Sequence, residues 1–217
     1  IGPDVRQIHS TFKVSETLVG SIYRAFWGYD SSITKTISQA PNAYLEPKNA
    51  KQARNLWGKS GRLLTVERAW LSTYTVLATH FDEDVLSNVW WPVKVENEKA
   101  RIWATWLNST LGLLLLLSIA EVTRGPWVKF KKEHLWEMPI LDVDRIGRKA
   151  KATLLSLYDK EFHGRKICES PLKALPEEFA NPVVRREIDQ EICKALGLEL
   201  SLDSLYKLLA KEPMITG

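Results

Sequence analysis

The densest concentration of β-forming residues lies at residues 62–95, which read RLLTVERAWLSTYTVLATHFDEDVLSNVWWPVKV. Branched and aromatic side chains of this kind fit the pleated, half-buried surface of a sheet. They form three runs, at residues 63–66, 71–81 and 85–95, and we interpret the acidic triplet Asp82-Glu83-Asp84 as the turn between the last two. The segment therefore predicts three neighbouring antiparallel strands.

A strongly apolar segment follows at residues 102–120, with five consecutive leucines. Asn97 is a suitable helix cap, and large apolar residues recur at helical spacing at Trp103, Leu107, Leu111 and Leu114. The polar residues Asn108-Ser109-Thr110 lie at mid-span, where they are costly in lipid but easily bonded inside a protein. We therefore expect one long buried helix over residues 97–120 and no membrane span.

Helix signals dominate the rest of the chain. A helix is expected at residues 48–57, because Pro47 precedes it and Gly58 follows it. A short strand is expected at residues 127–130. From Asp144 onward everything reads as helical: one helix ended by Gly164, a second opening at Asn181-Pro182 and ending before Gly197, and a last one starting at Ser201.

Together these patterns predict a mixed α/β (α+β) fold. Residues 1–141 would form an antiparallel or mixed sheet packed with helices, although the first 46 residues give mixed signals and are expected to be irregular. Residues 142–217 would form a helical C-terminal extension.

Composition permits an anionic partner without requiring one. Lys and Arg number 30 against 26 for Asp and Glu, which gives a net charge of +4. Cys168 and Cys193 have no zinc-site spacing, and no secretory leader is visible, so we expect a reduced, cytoplasmic setting.

Motifs for common chemistry are missing from the sequence. The four histidines are scattered and form no metal-ligand pair: His9, His80, His134 and His163. Phosphate-binding, dinucleotide-binding and hydrolase signatures are also missing. We therefore expect no cofactor and no metal site in this chain.

Basic residues mixed with aromatics are the remaining functional signal. One group comprises Lys48, Lys51, Arg54 and Arg62, and the second comprises Arg124, Lys129, Lys131 and Lys132. Such cations could contact nucleic-acid phosphates. They could equally be solvated faces of a helix and an edge strand, where lysine also discourages aggregation.

Two motifs resemble a known family. Residues 106–112 read WLNSTLG, and residues 127–140 read WVKFKKEHLWEMPI. They are similar to the target-recognition region of adenine-specific DNA methyltransferases and of restriction-modification specificity subunits. In that family a Leu-Asn-Ser helix packs on the recognition sheet. VRREID at residues 184–189 and LGL at residues 196–198 also resemble the C-terminal helices of such methylases.

The resemblance implies a DNA-recognition module without a catalytic domain. The glycine-rich cofactor loop and the Asn-Pro-Pro-Tyr motif of the complete enzymes are missing from this sequence. The expected partners are double-stranded DNA and a methyltransferase catalytic domain or subunit. Residues 28–62 and 122–132 are the segments expected to contact DNA.

Two other functions remain open at this stage. Nine tryptophans and a leucine-rich helix could form the surface of a protein-protein interaction module. Alternatively, an enzyme could use a carboxylate pair, for which the candidates are Asp82, Glu83, Asp84, Asp142 and Asp144.

Overall fold

The computed structural model describes residues 1–17, 22–123 and 126–216. Helices and strands alternate along them, which confirms the mixed α/β class. The strands are β1 (Phe12–Ser15), β2 (Arg24–Phe26), β3 (Ala43–Pro47), β4 (Gly61–Val66), β5 (Arg68–Trp70), β6 (Ala78–Ser87), β7 (Trp90–Val93), β8 (Glu121–Val122), β9 (Trp127–Lys129), β10 (Glu161–Phe162) and β11 (Arg165–Lys166). The helices are α1 (Val5–Thr11), α2 (Ala50–Trp57), α3 (Asn97–Leu107), α4 (Thr110–Ser118), α5 (Lys132–Glu137), α6 (Arg148–Tyr158), α7 (Leu175–Ala180), α8 (Val184–Leu196), α9 (Leu202–Leu209) and α10 (Pro213–Thr216), with a 3-10 turn at Ile167–Glu169.

The main sheet has the order β1-β3-β2-β6-β4-β7. Its pairs are antiparallel except for β2 and β6, which run parallel. The expectation that the first 46 residues are irregular is wrong, because α1 and three strands lie in or begin within them. These elements enclose a second, smaller apolar cluster that includes Ile8, Phe12, Leu45, Ala53 and Leu56.

The acidic triplet Asp82-Glu83-Asp84 is not a turn, as the sequence had suggested, but part of β6. Gly61 of β4 pairs with Val85 of β6, and Leu63 pairs with His80. Strand β6 therefore has more residues than β4 between these two pairs, and it bulges at the triplet. Residues 71–77, predicted as strand, form a turn and loop. The β-rich segment still supplies β4, β6 and β7, with β4 paired antiparallel to both of the others.

The long helix predicted for residues 97–120 is two helices, α3 and α4, that meet at 85°. Asn108 lies at the break, fully buried, and its side-chain oxygen accepts a hydrogen bond from Leu77 N at 2.7 Å. Its amide group donates to Ala78 O and Ala104 O, each at 2.7 Å. Ser109 then caps α4 by accepting from Gly112 N. The break therefore satisfies the backbone polar groups next to β6.

Gly112 permits the close approach of the two helices. A Cβ atom on this residue would lie 2.1 Å from the Trp106 carbonyl oxygen and 2.6 Å from Leu107 Cα. Any side chain here would therefore push α3 and α4 apart. Among the described residues no single helix is long and apolar enough to cross a membrane, although α3 and α4 together meet the length and composition criteria as a bent pair.

The helical extension shares the core of the sheet. Helix α3 contacts β4 and β6 on one side and α6 and α8 on the other. One continuous apolar cluster includes Leu63 and Phe81 of the sheet, Leu154 of α6 and Ile188 of α8. The boundary at residues 141 and 142 remains a prediction, but apolar packing is continuous across it.

The extension is not entirely helical, contrary to the sequence-based expectation. Helix α6 ends at Tyr158, and Gly164 lies instead in the turn of the β10–β11 hairpin. His163 and Gly164 have φ angles of 51° and 78°, the left-handed values that tight hairpin turns require. Helix α8 ends at Gly197, with φ 65°, and α9 follows directly after Ser201, both as predicted. The predicted start of α8 at Asn181-Pro182 is wrong, because α8 begins at Val184 and Asn181 instead ends α7.

A buried polar network fastens α8 to the α3–α4 break. The Asp189 carboxylate accepts from Thr110 N at 2.7 Å, from Thr110 Oγ1 at 2.5 Å and from the Tyr206 hydroxyl at 2.8 Å. Arg185, one turn earlier on α8, donates from Nη1 to Asn108 O at 2.6 Å. The sheet, the bent helix pair and the extension therefore share a single set of buried hydrogen bonds.

Candidate nucleic-acid interface

The first basic segment is built around α2. Residues 47–66 contain five cations and no acidic residue: Lys48, Lys51, Arg54, Lys59 and Arg62. Asn49 starts the helix by accepting hydrogen bonds from Lys51 N and Gln52 N. Ala53 and Leu56 are buried in the smaller apolar cluster, so the basic side chains of α2 face solvent.

The four predicted residues of this segment differ in their exposure and in whether they form ion pairs. Lys51 and Arg54 are exposed and form no ion pair with any described residue. Lys48 is also exposed and donates from Nζ to the His9 carbonyl oxygen at 2.6 Å. Arg62 is half-buried and pairs with Asp84 at 3.6 Å. The freest positive charge is therefore on α2.

The second basic segment is largely paired with acids. Lys131 Nζ lies 2.6 Å from Glu121, and this hydrogen bond raises the pKa of Lys131 and lowers the pKa of Glu121. Lys132 pairs with Asp4 at 3.2 Å. Lys129 is exposed and has no ion pair with a described residue. Arg124 lies outside the described residues.

Helix α1 connects the two basic segments. Lys132 binds Asp4, which precedes α1, and Lys48 binds the His9 carbonyl oxygen near the other end. Five residues of helix span about 8 Å along the axis. The two segments therefore lie at opposite ends of one short helix, with three carboxylates, Asp4, Glu67 and Glu133, around the second. Burial raises the pKa of Glu67, although nearby cations oppose the shift.

The small sheet β5-β9-β8 carries an aromatic and cationic face that the sequence reasoning missed. Arg68 is paired across the strands with Lys129, and Trp70 with Trp127. Ala69 and Val128 alternate with them and are buried. Because side chains alternate between the two faces of a sheet, the four larger residues share the outer face. The alternation of large and small side chains in Arg68-Ala69-Trp70 could have indicated this face from the sequence.

A separate apolar cleft lies beside α5. Its volume is 310 Å³, and its walls include Leu63, Val93, Trp103 and Met138. Trp136 at its rim is 70% exposed. Large exposed aromatic residues beside apolar clefts are common at protein-protein contacts.

Four of the five candidate carboxylates pair with cations; Asp82 has no ion pair with a described residue. Glu83 pairs with Arg24, Asp84 with Arg62, Asp142 with Arg145, and Asp144 with Lys99. Within the described ranges, no group of three or more His, Cys, Asp or Glu side chains could hold a metal ion. Ion pairing thus accounts for these four carboxylates without a catalytic role.

Comparison with protein-family models, with curated proteins and with solved structures found no match to this chain.

Proposed function

We propose that this chain is the DNA-recognition module of an adenine methyltransferase or restriction-modification system and acts beside a separate catalytic domain or subunit. The observation that carries the proposal is the run of five cations and no acid at residues 47–66, with Lys51 and Arg54 exposed and unpaired among the described residues. Unpaired surface cations can neutralise phosphates without first breaking an ion pair.

The α3–α4 break supports the same proposal. The Leu-Asn-Ser motif that resembles the methyltransferase family places Asn108 against β6, where it bonds Leu77 N and Ala78 O. This agrees with the expected packing of that motif on a recognition sheet. The agreement concerns the fold and is a weaker argument for DNA binding than the charge on α2.

Double charge reversal tests the proposal. Each phosphate contact contributes about −0.9 to the slope of log affinity against log salt. We expect wild-type protein to bind duplex DNA with a dissociation constant on the order of micromolar at physiological salt. The variant K51E/R54E should bind all sequences more weakly, with a slope reduced by about 2. The variant K129E/K131E should lose less, since Glu121 already neutralises Lys131.

The control is K207E/K211E, which carries the same net charge as the other two variants but places the reversal on exposed residues at α9. It should bind like wild type, apart from a uniform effect of net charge. Fluorescence anisotropy of a labelled duplex across a salt series gives affinity and slope together. If wild-type protein fails to bind at low salt, or if K51E/R54E binds as tightly as the control, DNA recognition is wrong.

The same proposal predicts that catalysis lies elsewhere. Without the glycine-rich loop, the isolated chain should bind no S-adenosylmethionine and should methylate no DNA. Micromolar binding of this cofactor in a calorimetric titration would contradict the assignment to a non-catalytic module.

A second function, protein-protein interaction, is favoured by the apolar cleft and the exposed Trp136. The catalytic subunit is the partner expected for this surface. If DNA binding fails in the experiment above, this function replaces DNA recognition as the principal one.

A further inference from the structure

We infer that the outer face of the β5-β9-β8 sheet binds unpaired bases of single-stranded DNA by stacking on Trp70 and Trp127. The inference deepens the proposed DNA-binding function and rests on it. It names a second surface, distinct from the cations of α2, and a different chemistry, because stacking needs exposed aromatic rings beside positive charge.

The strand register creates this face. Trp70 and Trp127 are directly paired, and their ring centroids are 6.0 Å apart with the planes tilted by 55°. The two indoles therefore do not stack on each other. Trp70 is 38% exposed although it lies in a strand, so part of this residue is open to a ligand.

Positive charge lies next to the rings on the same face. The Arg68 guanidinium lies over the Trp127 ring, 5.0 Å from the centroid, and Lys129 is its cross-strand partner. Glu67 also lines this side, so one carboxylate partly offsets two cations. Phosphate contacts should consequently involve Arg68 and Lys129, which outnumber Glu67 in the wall of the same cleft.

Trp127 separates two small clefts. One, of 300 Å³, is apolar and includes Trp70, Val122 and Met214 in its walls. The other, of 280 Å³, includes Arg68, Thr123 and Lys129. These volumes are at the lower end of small-ligand sites, which suits a single flat ring system. A base against the apolar side and its phosphate against the cationic side match the two halves of a nucleotide.

A structural explanation competes with this inference, because cross-strand aromatic pairs also stabilise short sheets. Two substitutions separate the explanations. Trp70→Leu keeps apolar bulk but removes the aromatic face, whereas Trp70→Phe keeps a ring that can stack. Trp136→Leu is the matched control, since Trp136 is more exposed and lies on α5, outside this sheet.

The probes are a labelled twelve-nucleotide thymidine strand, the same strand with abasic sites at its centre, and a duplex of equal length. We expect removal of the central bases to weaken binding about tenfold, because stacking on an aromatic residue typically changes affinity by about 5- to 150-fold per base. Trp70→Leu should lose a similar factor on the intact strand and nothing on the abasic strand. Trp70→Phe should recover most of the loss, and Trp136→Leu should bind like wild type.

Two outcomes would overturn the inference: equal affinity for the intact and abasic strands, or unchanged single-strand binding by Trp70→Leu. Either result would assign the tryptophan pair to sheet stability or to a protein partner. A failure of the proposed function would give a different result. Duplex binding would then not depend on Lys51 and Arg54, while single-strand binding would still depend on the bases.

Discussion

The buried Asp189 carboxylate should be a major source of stability, and replacing it with alanine tests how the extension is fastened to the sheet. Asp189 is 2% exposed and accepts two hydrogen bonds from Thr110 and one from Tyr206. Burial raises its pKa, while Arg185 and the hydrogen bonds oppose that shift. Its removal leaves the Arg185 guanidinium buried without an opposing carboxylate on the same helix face.

A buried hydrogen-bonding group that loses its partner typically costs about 1–3 kcal/mol, so removing the acceptor of these three bonds should cost at least about 3 kcal/mol. We expect Asp189→Ala to lower the free energy of unfolding by this amount, seen as a lower urea midpoint at an unchanged slope. The adjacent pair supplies the control: Arg186 binds Asp203 at 2.5 Å, but the Asp203 side chain is 67% exposed. Exposed pairs contribute about 0–1 kcal/mol, so Asp203→Ala should have little effect.

A third variant separates charge burial from lost packing. Replacing both groups, Arg185→Met with Asp189→Leu, removes the unpaired charge and should cost less than Asp189→Ala alone. If Asp189→Ala destabilises the protein no more than Asp203→Ala, the network does not hold α8 to the α3–α4 break.

Two further changes test the same interior. Asn108→Ala should lower the free energy of unfolding by about 2–4 kcal/mol, because Leu77 N loses its buried partner. The control Asn55→Ala, at an exposed position, should change it by less than about 0.5 kcal/mol. Equal effects of the two substitutions in urea unfolding would refute the reasoning. Burial lowers the pKa of His80, so the unfolded chain binds the proton more readily than the folded chain. Stability should therefore fall as pH drops below about 6.5, and His80→Gln should flatten that dependence in urea unfolding between pH 7.5 and 5.5.

Elements with local signals were predicted well from the sequence. Helix α2 has Asn49 and Gly58 at its ends, and α8 ends at Gly197 in a left-handed conformation. Caps and terminal glycines act over a few residues, so the sequence alone contains the information. The existence of β4, β6 and β7 followed in the same way from their branched and aromatic residues.

The break between α3 and α4 could not be predicted in this way. Apolar spacing continues through residues 97–120, and the helix ends because Asn108 bonds Leu77, 31 positions away, and Thr110 bonds Asp189, 79 positions away. The prediction of a turn at the acidic triplet, which lies in β6, was wrong for a similar reason. Arg24 and Arg62 pair with two of its carboxylates, which makes an extended conformation acceptable for residues typical of turns.

For the candidate interface, the sequence showed where the cations lie along the chain but not which of them are already paired with acids. Lys131 and Lys132 were candidate phosphate ligands on their sequence alone, but Glu121 and Asp4 already pair with them. Lys51 has no ion pair with a described residue, whereas Arg62, in the same acid-free stretch of residues 47–66, pairs with Asp84. Whether a cation is free depends on tertiary neighbours, which spacing along the chain does not encode.

The contacts across residues 141 and 142 lead to a last prediction, that residues 1–141 cannot form their native core without the extension. Tyr158 binds buried His80 of β6 at 2.8 Å, and Asp189 binds the first residue of α4. Leu154 and Ile188 also belong to the same apolar cluster as the sheet. Without these residues an apolar face of α3 would be open to water, and the usual stability of a domain, about 5–15 kcal/mol, leaves little margin for that loss of burial. We expect the fragment 1–141 to unfold without a cooperative urea transition and to lose near-ultraviolet circular dichroism; a sharp transition with a native spectrum would establish residues 1–141 as an independent domain and contradict this argument.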